Sequence, residues 1–485
     1  MRRTSQILAC ICIAMLVAVS VAQAAREYPH PDTYIPSIQT IEKHKKRFND
    51  PSPYLTTFGL KQVLPKDMYA KLIFPVEKMK SDWAEVVGFK APDVVGKIAP
   101  GIKPGKYTYK DVQNNPAFKQ LMYPDLIKRI KPGGPPFAGN IPEFEIIPTR
   151  QYYYSSPIAD MTKQNTGKAK LDAKGFLVAK SWENGFPFPR PSGAQKAAQI
   201  MYNVEKKFFN FGTDAYFLAR FTGVNKNMKM DMDGLYEVRQ LRLAGRAFLK
   251  PYGYYDNRAK ERGEFKAYAF NHNAPRDIAG VVQTALFYRE PDKADNLLLY
   301  LPSMRRVRKM TSTDTQDPVM GQDIIYDDSE GFGQKLSPTR YPYKFEVVEE
   351  REFLVPAPTL DGAEYITSPD KGLEIRNVRM ERRPIYVVKL TQLDPNYVYG
   401  HRIFYIDKET FAQYHVANYD RKGRLYRTLD FHYAFEPQMG MLHWGGSVVL
   451  YADHVDLHSG IQQPYLLPAV FERRDVNIEQ FMKAK

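Results

Sequence analysis

Residues 283–328 read QTALFYREPDKADNLLLYLPSMRRVRKMTSTDTQDPVMGQDIIYDD, and this stretch decides the fold class. Ala285 and Phe287, then Leu297, Leu299 and Leu301, alternate with residues that face the other way, the period-2 signature of a strand. Glu290-Pro291-Asp292 and Leu301-Pro302-Ser303 are turn signals between them, so the path is an antiparallel meander. The third strand crowds Arg305, Arg306, Arg308 and Lys309 around one candidate for burial, Val307. Asp317, Asp323, Asp327 and Asp328 follow with the opposite sign, and the simplest expectation is that the two sets meet.

Outward from the meander the pattern stays extended. Strands are expected over residues 216–223, 234–243, 264–270, 343–353, 385–393, 400–406, 411–419, 423–435 and 440–451. Turns such as Asp407-Lys-Glu-Thr410 and Asp420-Arg-Lys-Gly423 separate them at a regular beat. The 33 Tyr and 28 Phe against 3 Trp favour the same class. The fold class expected is α+β, mostly antiparallel β: a curved sheet or partly open β-barrel wrapped around one or two helices, which removes or covers strand edges.

Helical spacing is confined to the first half of the chain and to one covering segment. Met68, Leu72, Val76, Met79, Trp83 and Val86 recur at three to four residues, with a break at Pro75. A second helical patch spans 111–130, interrupted at Pro116 and Pro124. Glu143–Tyr154 and Gly175–Ser181 read as strands. Ser192 is placed to cap a helix over 193–211 whose apolar face is Ala197, Ile200, Met201, Val204 and Phe208. Three segments follow: 1–24, 25–190 as a Pro-rich arm with helices packed on the body, and 191–485 as the barrel-like domain.

The first segment has the form of a signal peptide. Arg2 and Arg3 precede an apolar run, Ile7–Val21, and Ala22-Gln23-Ala24 offers a cleavage site, so export to the periplasm with processing near Ala24 is expected. A lipoprotein reading of Ile7–Cys10 sets Cys10 before any adequate apolar run. Processing removes Cys10 and Cys12, leaving neither thiol nor disulfide. No later stretch is long and apolar enough for a membrane-spanning helix, which makes the product soluble or peripheral. The formal charge is +15, two units of it from Arg2 and Arg3. This surplus suits an anionic membrane surface, or it serves solubility alone. Nothing matches a recognition helix, an aromatic RNA-binding strand or a zinc finger, so nucleic acid is not expected as a partner.

Signatures of catalysis are missing: there is no Gly-x-Ser-x-Gly elbow, phosphate loop, H-E-x-x-H or thiol nucleophile. Strand alternation would set His454, Asp456 and His458 on one face at roughly metal-compatible spacing, but a strand-to-turn passage without a metal is the stronger reading, and no metal or cofactor is expected. His443, beside Trp444, reads as a packed or rim residue. The Arg and Asp sets form either a salt-bridged rim or a contact for an anionic headgroup, for which arginine supplies a bidentate fork. The inward aromatics of a barrel too wide to fill would line an apolar cavity.

LLLYLPSMRRVRKM followed by PVMGQDIIYDD resembles the signature of the LolA/LolB-like outer-membrane lipoprotein-sorting superfamily. The likeness extends through Asn271–Arg276, SPTRYPYKFEVVEEREFLVP and HRIFYIDKETFAQYHVANYDRKGRLYR, with GFPFPRPSG upstream, and points to a branch of periplasmic proteins grouped only as a domain of unknown function. The resemblance implies a carrier or chaperone for a hydrophobic molecule, a lipid or a lipidated protein, in the Gram-negative periplasm beside an exporter of the resistance-nodulation type. The ligand-binding or rim residues are then Arg305, Arg306, Arg308, Asp323, Asp327, Asp328 and Trp444. The alternative is a non-catalytic adaptor with a solid interior, docked on an envelope complex.

Overall fold

The computed structural model describes residues 54–55, 66–133, 139–207, 214–225, 227, 229–247, 251–311, 314–319, 323–337, 339–360, 365–368, 374–451, 459–468 and 471–482. The leader-like segment, nearly all of residues 25–65 and Asp453–His458 lie outside them. The helices are α1 (Lys66–Ala70), α2 (Val76–Val87), α3 (Tyr109–Asn114), α4 (Ala117–Leu121), α5 (Pro124–Arg129), α6 (Ser156–Lys163), α7 (Lys196–Glu205), α8 (Asn257–Arg262) and α9 (Ile478–Met482). The main-sheet strands used below are β1 (Gly105–Thr108), β2 (Glu143–Ile146), β3 (Asp214–Val224), β4 (Met230–Arg242), β5 (Glu264–Ala274), β6 (Val282–Tyr288), β7 (Asn296–Leu301), β8 (Arg306–Met310), β9 (Tyr343–Pro356), β10 (Val378–Gln392), β11 (His401–Asp407), β12 (Gln413–Tyr419), β13 (Leu425–Glu436), β14 (Met441–Tyr451) and β15 (Ser459–Pro468).

These strands run in the order β8-β7-β6-β5-β4-β3-β15-β14-β13-β12-β11-β10-β2-β1, with β9 also paired to β10. All of these pairs are antiparallel except β10 with β2. The sheet is open, with β8 and β1 as its edges. The hairpins have local causes. Asp407 Oδ1 accepts from the amides of Glu409 and Thr410 at 2.7 and 2.9 Å, and Asp420 Oδ1 accepts from those of Lys422 and Arg424, each at 2.9 Å. Aspartates at these positions satisfy turn amides that no strand can reach. Edge strand β8 is exposed along Arg306–Lys309, and Val307 keeps 40% of its surface, contrary to the burial expected of it. Cations on both faces of an edge discourage pairing with another chain.

The main core joins the helices to the sheet. Met79, Trp83 and Val86 of α2, Leu126 of α5 and Ile200 of α7 share one apolar cluster with Val388, Phe404 and Val416. Burying both faces of β10 also buries Arg383, whose guanidinium meets Asp407 at 2.7 Å and Glu409 at 2.7 Å. Glu409 in turn accepts from the amides of Tyr152 and Ala91, and its carbonyl accepts from Trp83 Nε1 at 2.7 Å. The chain before residue 190 is thus tied to the β11–β12 turn by polar groups with no water to compete for them.

Several expectations change in detail. The 175–181 strand is a bridge between Leu171 and Leu177 followed by a single turn of 3-10 helix over Ala179–Ser181. The 143–154 strand ends at Ile146, where pairing with β10 stops. The helix expected over 193–211 is described from Lys196, with Gln195 rather than Ser192 at its N-cap. Trp83 is fully buried. Replacing it with alanine is expected to cost about 3–5 kcal/mol in urea unfolding; a loss below about 1 kcal/mol would show that the helices contribute little to the sheet's stability.

Candidate functional site

On the half of the sheet from β7 to β4, alternation sends two sets of side chains to opposite faces. Leu235 and Leu241 of β4, with Ala267 and Ala269 of β5, pack on Phe471 and Val476. Tyr236, Val238 and Gln240, with Lys266, Tyr268 and Phe270, face the other way and line a cavity. Its far wall is Leu429, Phe431 and Tyr433 of β13 with Trp444 of β14, and the segment after β8 folds in between, contributing Val319, Ile324, Tyr326 and residues 327–330. The void measures about 180 Å³. A ligand pocket of the kind expected from the sequence holds about 300–1,000 Å³, so this void is smaller than that expectation. A cavity near this size, lined by apolar groups, is known to take a benzene-sized ring. A larger space of about 620 Å³ lies beside Tyr153 and Phe435 but is an open groove rimmed by Lys80, Lys90 and Arg150.

The inward segment is fastened by Asp328. Its Oδ2 accepts from Tyr399 OH at 2.7 Å and Arg427 Nη1 at 3.2 Å, and its Oδ1 from Arg402 Nη2 at 3.3 Å. Asp328, Arg402 and Arg427 are all buried. Arg402 also donates to the carbonyl of Gly331 at 2.9 Å. Gly331 has φ of +78°, and a Cβ there would stand 2.8 Å from the Phe431 ring, so only glycine fits. Asp327 sits beside this centre and accepts from Tyr397 OH at 2.7 Å and Gln334 Nε2 at 3.1 Å. Burial pushes its carboxyl up to about 7, against the Tyr397 hydrogen bond, which favours the charged form.

The next carboxylate is held differently. Glu330 Oε2 lies 3.9 Å from both Lys207 Nζ and Lys266 Nζ, beyond hydrogen-bonding reach. Burial alone would raise its pKa, yet Lys266, Lys207 and Arg242 hold it below the usual carboxylate range. Burial lowers Lys207 to about 8.

The expected meeting of the two charged sets does not occur. Among the described residues no ion pair joins Arg305, Arg306, Arg308 or Lys309 to the aspartates; buried Asp328 takes Arg402 and Arg427 instead. The edge arginines stay in water, where a lone pair gains little. Register nonetheless sets two of them near the cavity. Arg306 and Arg308 oppose Leu301 and Leu299, which share a face with the cavity-lining Leu297. Arg305 is exposed in the preceding turn, Asp317 is exposed and Asp323 half-buried. Asp327, Asp328 and Trp444 do line the cavity. The partners that went unforeseen carry a signal: Arg402 and Arg427 are charged groups at inward positions of strands whose other inward residues are apolar, and Tyr397 and Tyr399 lie in the loop that leads into β11.

A second buried cluster lies away from the cavity. His415 stands between Asp430 at 3.1 Å and Asp125 at 3.3 Å, and Arg129 meets Asp430 at 2.9 Å. Burial disfavours the imidazolium, but the two carboxylates outweigh it and lift His415 to about 9. These groups clamp α5 to β12 and β13, and none of them lines the cavity or the groove.

A family model described as a protein of unknown function, DUF1329, matches residues 134–463. No curated protein matches the chain. Three solved structures are similar in part. One is described as an outer membrane lipoprotein-sorting protein domain from Vibrio parahaemolyticus, 18% identical over 60% of this chain and 100% of that one, with a TM-score of 0.42. A DUF1329 family protein from Desulfovibrio piger is 16% identical over 55% of this chain and 92% of its own, at 0.38. A LolA superfamily protein from Nitrosomonas europaea is 12% identical over 58% and 97%, at 0.35.

Two outcomes test the site. Asp328→Ala strands two buried guanidinium groups and is expected to cost about 3–5 kcal/mol by chemical denaturation; a near-neutral result would mean that the segment is not fastened there. For Asp327, a folded value raised to about 7 favours the folded state at low pH, and that contribution fades as pH climbs from the ordinary value of about 3.9 toward the raised one. The wild-type melting temperature should therefore fall relative to Asp327→Asn across that window. Parallel curves would show that the carboxyl does not titrate there.

Proposed function

The chain belongs to the DUF1329 family, and on that premise we propose that it is a non-catalytic carrier that shelters a small hydrophobic ligand between the curved sheet and the inward residues 314–319 and 323–333. The observation that carries the proposal is the cavity itself, walled by Tyr236, Phe270, Phe287 and Phe431 and closed on one side by a segment anchored through Asp328. Apolar area removed from water supplies the binding energy, roughly 0.8 kcal/mol for each methylene, so no reactive group is required. The void admits a ring or a short chain, and a longer chain leaves along Leu299 and Leu301.

The leader-like N-terminus supports a periplasmic setting for this work, and the ligand would be a lipid, the acyl part of a lipidated protein or another apolar compound. Arg306 and Arg308, exposed on the concave face of the edge strand, would meet an anionic membrane surface as the protein loads or unloads. An exporter of the resistance-nodulation type is the partner that this role suggests.

The test is direct. Protein purified from its native envelope is expected to yield a bound apolar species by native mass spectrometry and solvent extraction. The emptied protein should take up a fluorescent apolar probe saturably, with quenching of Trp444. Val238→Phe, which fills the void, should abolish uptake while leaving the circular dichroism spectrum unchanged. An empty native protein with no saturable uptake would sink the carrier reading in favour of an adaptor.

A further inference from the structure

The carrier reading leaves one feature of its cavity unexplained: a charged pair set among aromatic rings. Among the described residues, Lys266 is the only lysine in the cavity wall. It belongs to the inward file Lys266, Tyr268, Phe270 of β5, and its ammonium lies 5.0 Å from the centre of the Phe287 ring. Among the described residues it makes no hydrogen bond, and its one ion pair is the 3.9 Å approach to Glu330. The side chain is 25% exposed, and its ammonium has one ring beside it and only this long contact to an anion, so an anion at hydrogen-bonding distance would stabilise it.

Glu330 has the complementary defect. Its backbone is pinned, because its carbonyl accepts from Lys207 Nζ at 2.8 Å and also from Gln413 Nε2. Its φ of +53° is a left-handed conformation that residues with a Cβ seldom adopt. The carboxylate itself makes no hydrogen bond among the described residues, and 38% of the side chain is exposed. The side chain is therefore free to rotate away without moving the segment that carries it. Asp328, two residues earlier, is the opposite case, with four donors closed around it.

We propose, on the basis of the carrier reading, that the ligand is an amphiphile with an acidic headgroup, that Lys266 receives this headgroup, and that Glu330 is the internal counter-ion displaced when it enters. In the empty protein the carboxylate of Glu330 occupies the place of the headgroup at a distance too long for a hydrogen bond. A carboxylate or phosphate brought in by an apolar chain reaches Lys266 at full hydrogen-bonding distance, with Lys207 behind it. The aromatic wall binds the chain, and the lysine selects the charge.

The experiment compares decanoate, decyl phosphate and decanol, by displacement of an uncharged fluorescent probe from the full-length processed protein. The two acids are expected to bind at least about tenfold more tightly than decanol. Lys266→Met, which keeps the length of the stem, should erase that preference and leave decanol unchanged, whereas Lys266→Arg should retain it. Glu330→Gln should tighten both acids. If decanoate alone keeps the preference, the headgroup is a carboxylate; if decyl phosphate alone, a phosphate monoester. Equal binding of acid and alcohol by the wild type, or equal losses in Lys266→Met, would overturn this proposal while leaving the carrier reading intact. Failure of all three ligands and of the probe would overturn both.

Discussion

The carboxylate of Asp328 is the constraint on which the arrangement of the cavity rests. It is buried between Arg402 of β11 and Arg427 of β13 and capped by Tyr399. Without those partners a charge in that position would be expelled to water, and the segment carrying it would follow. With them, the segment becomes an inner wall of the molecule. Everything that distinguishes the concave face follows from this: the left-handed glycine at 331, the inward Tyr326 and Ile324, and a void that is small because a piece of the chain already lies in the curve of the sheet.

The same physics sorts the charged groups into two kinds. Asp328 with Arg402 and Arg427, Arg383 with Asp407 and Glu409, and His415 between Asp125 and Asp430 are closely partnered. Each holds one particular pair of elements together, because breaking it would leave a charge in low dielectric. Glu330 and Lys266 are the exception, near enough to feel one another and too far apart to satisfy one another. A cavity needs both kinds: fixed charges to keep its walls in place, and a loosely compensated one to offer to a ligand.

Much of the fold was legible because alternation is a local property. The strands expected at 264–270 and 343–353 lie within the observed β5 and β9, those expected at 400–406 and 423–435 overlap β11 and β13 but start before them, and the breaks at Pro75, Pro116 and Pro124 separate helices where proline must interrupt them. Legibility failed for Gly175–Ser181, whose alternation has no neighbouring strand to pair with, so it remains a bridge and a turn. The site was legible in part. Asp327, Asp328 and Trp444 line the cavity, but the arginines nearest in sequence are not the ones that hold the aspartates. Proximity along the chain misleads here because β8 ends its sheet at the surface, while the segment after it turns back beneath strands more than seventy residues further on.

By itself, the sequence determined the class of the molecule: an antiparallel sheet with covering helices, an aromatic interior and a cationic edge, all of which follow from side-chain period and composition. Only the tertiary structure decided which charges meet. Ion pairs in a low-dielectric interior are set by where distant strands bring their inward faces, and the contacts of Asp328 with Arg402 and Arg427, and of Glu330 with Lys207 and Lys266, exist only once the sheet has curved around the segment that bears the two acids.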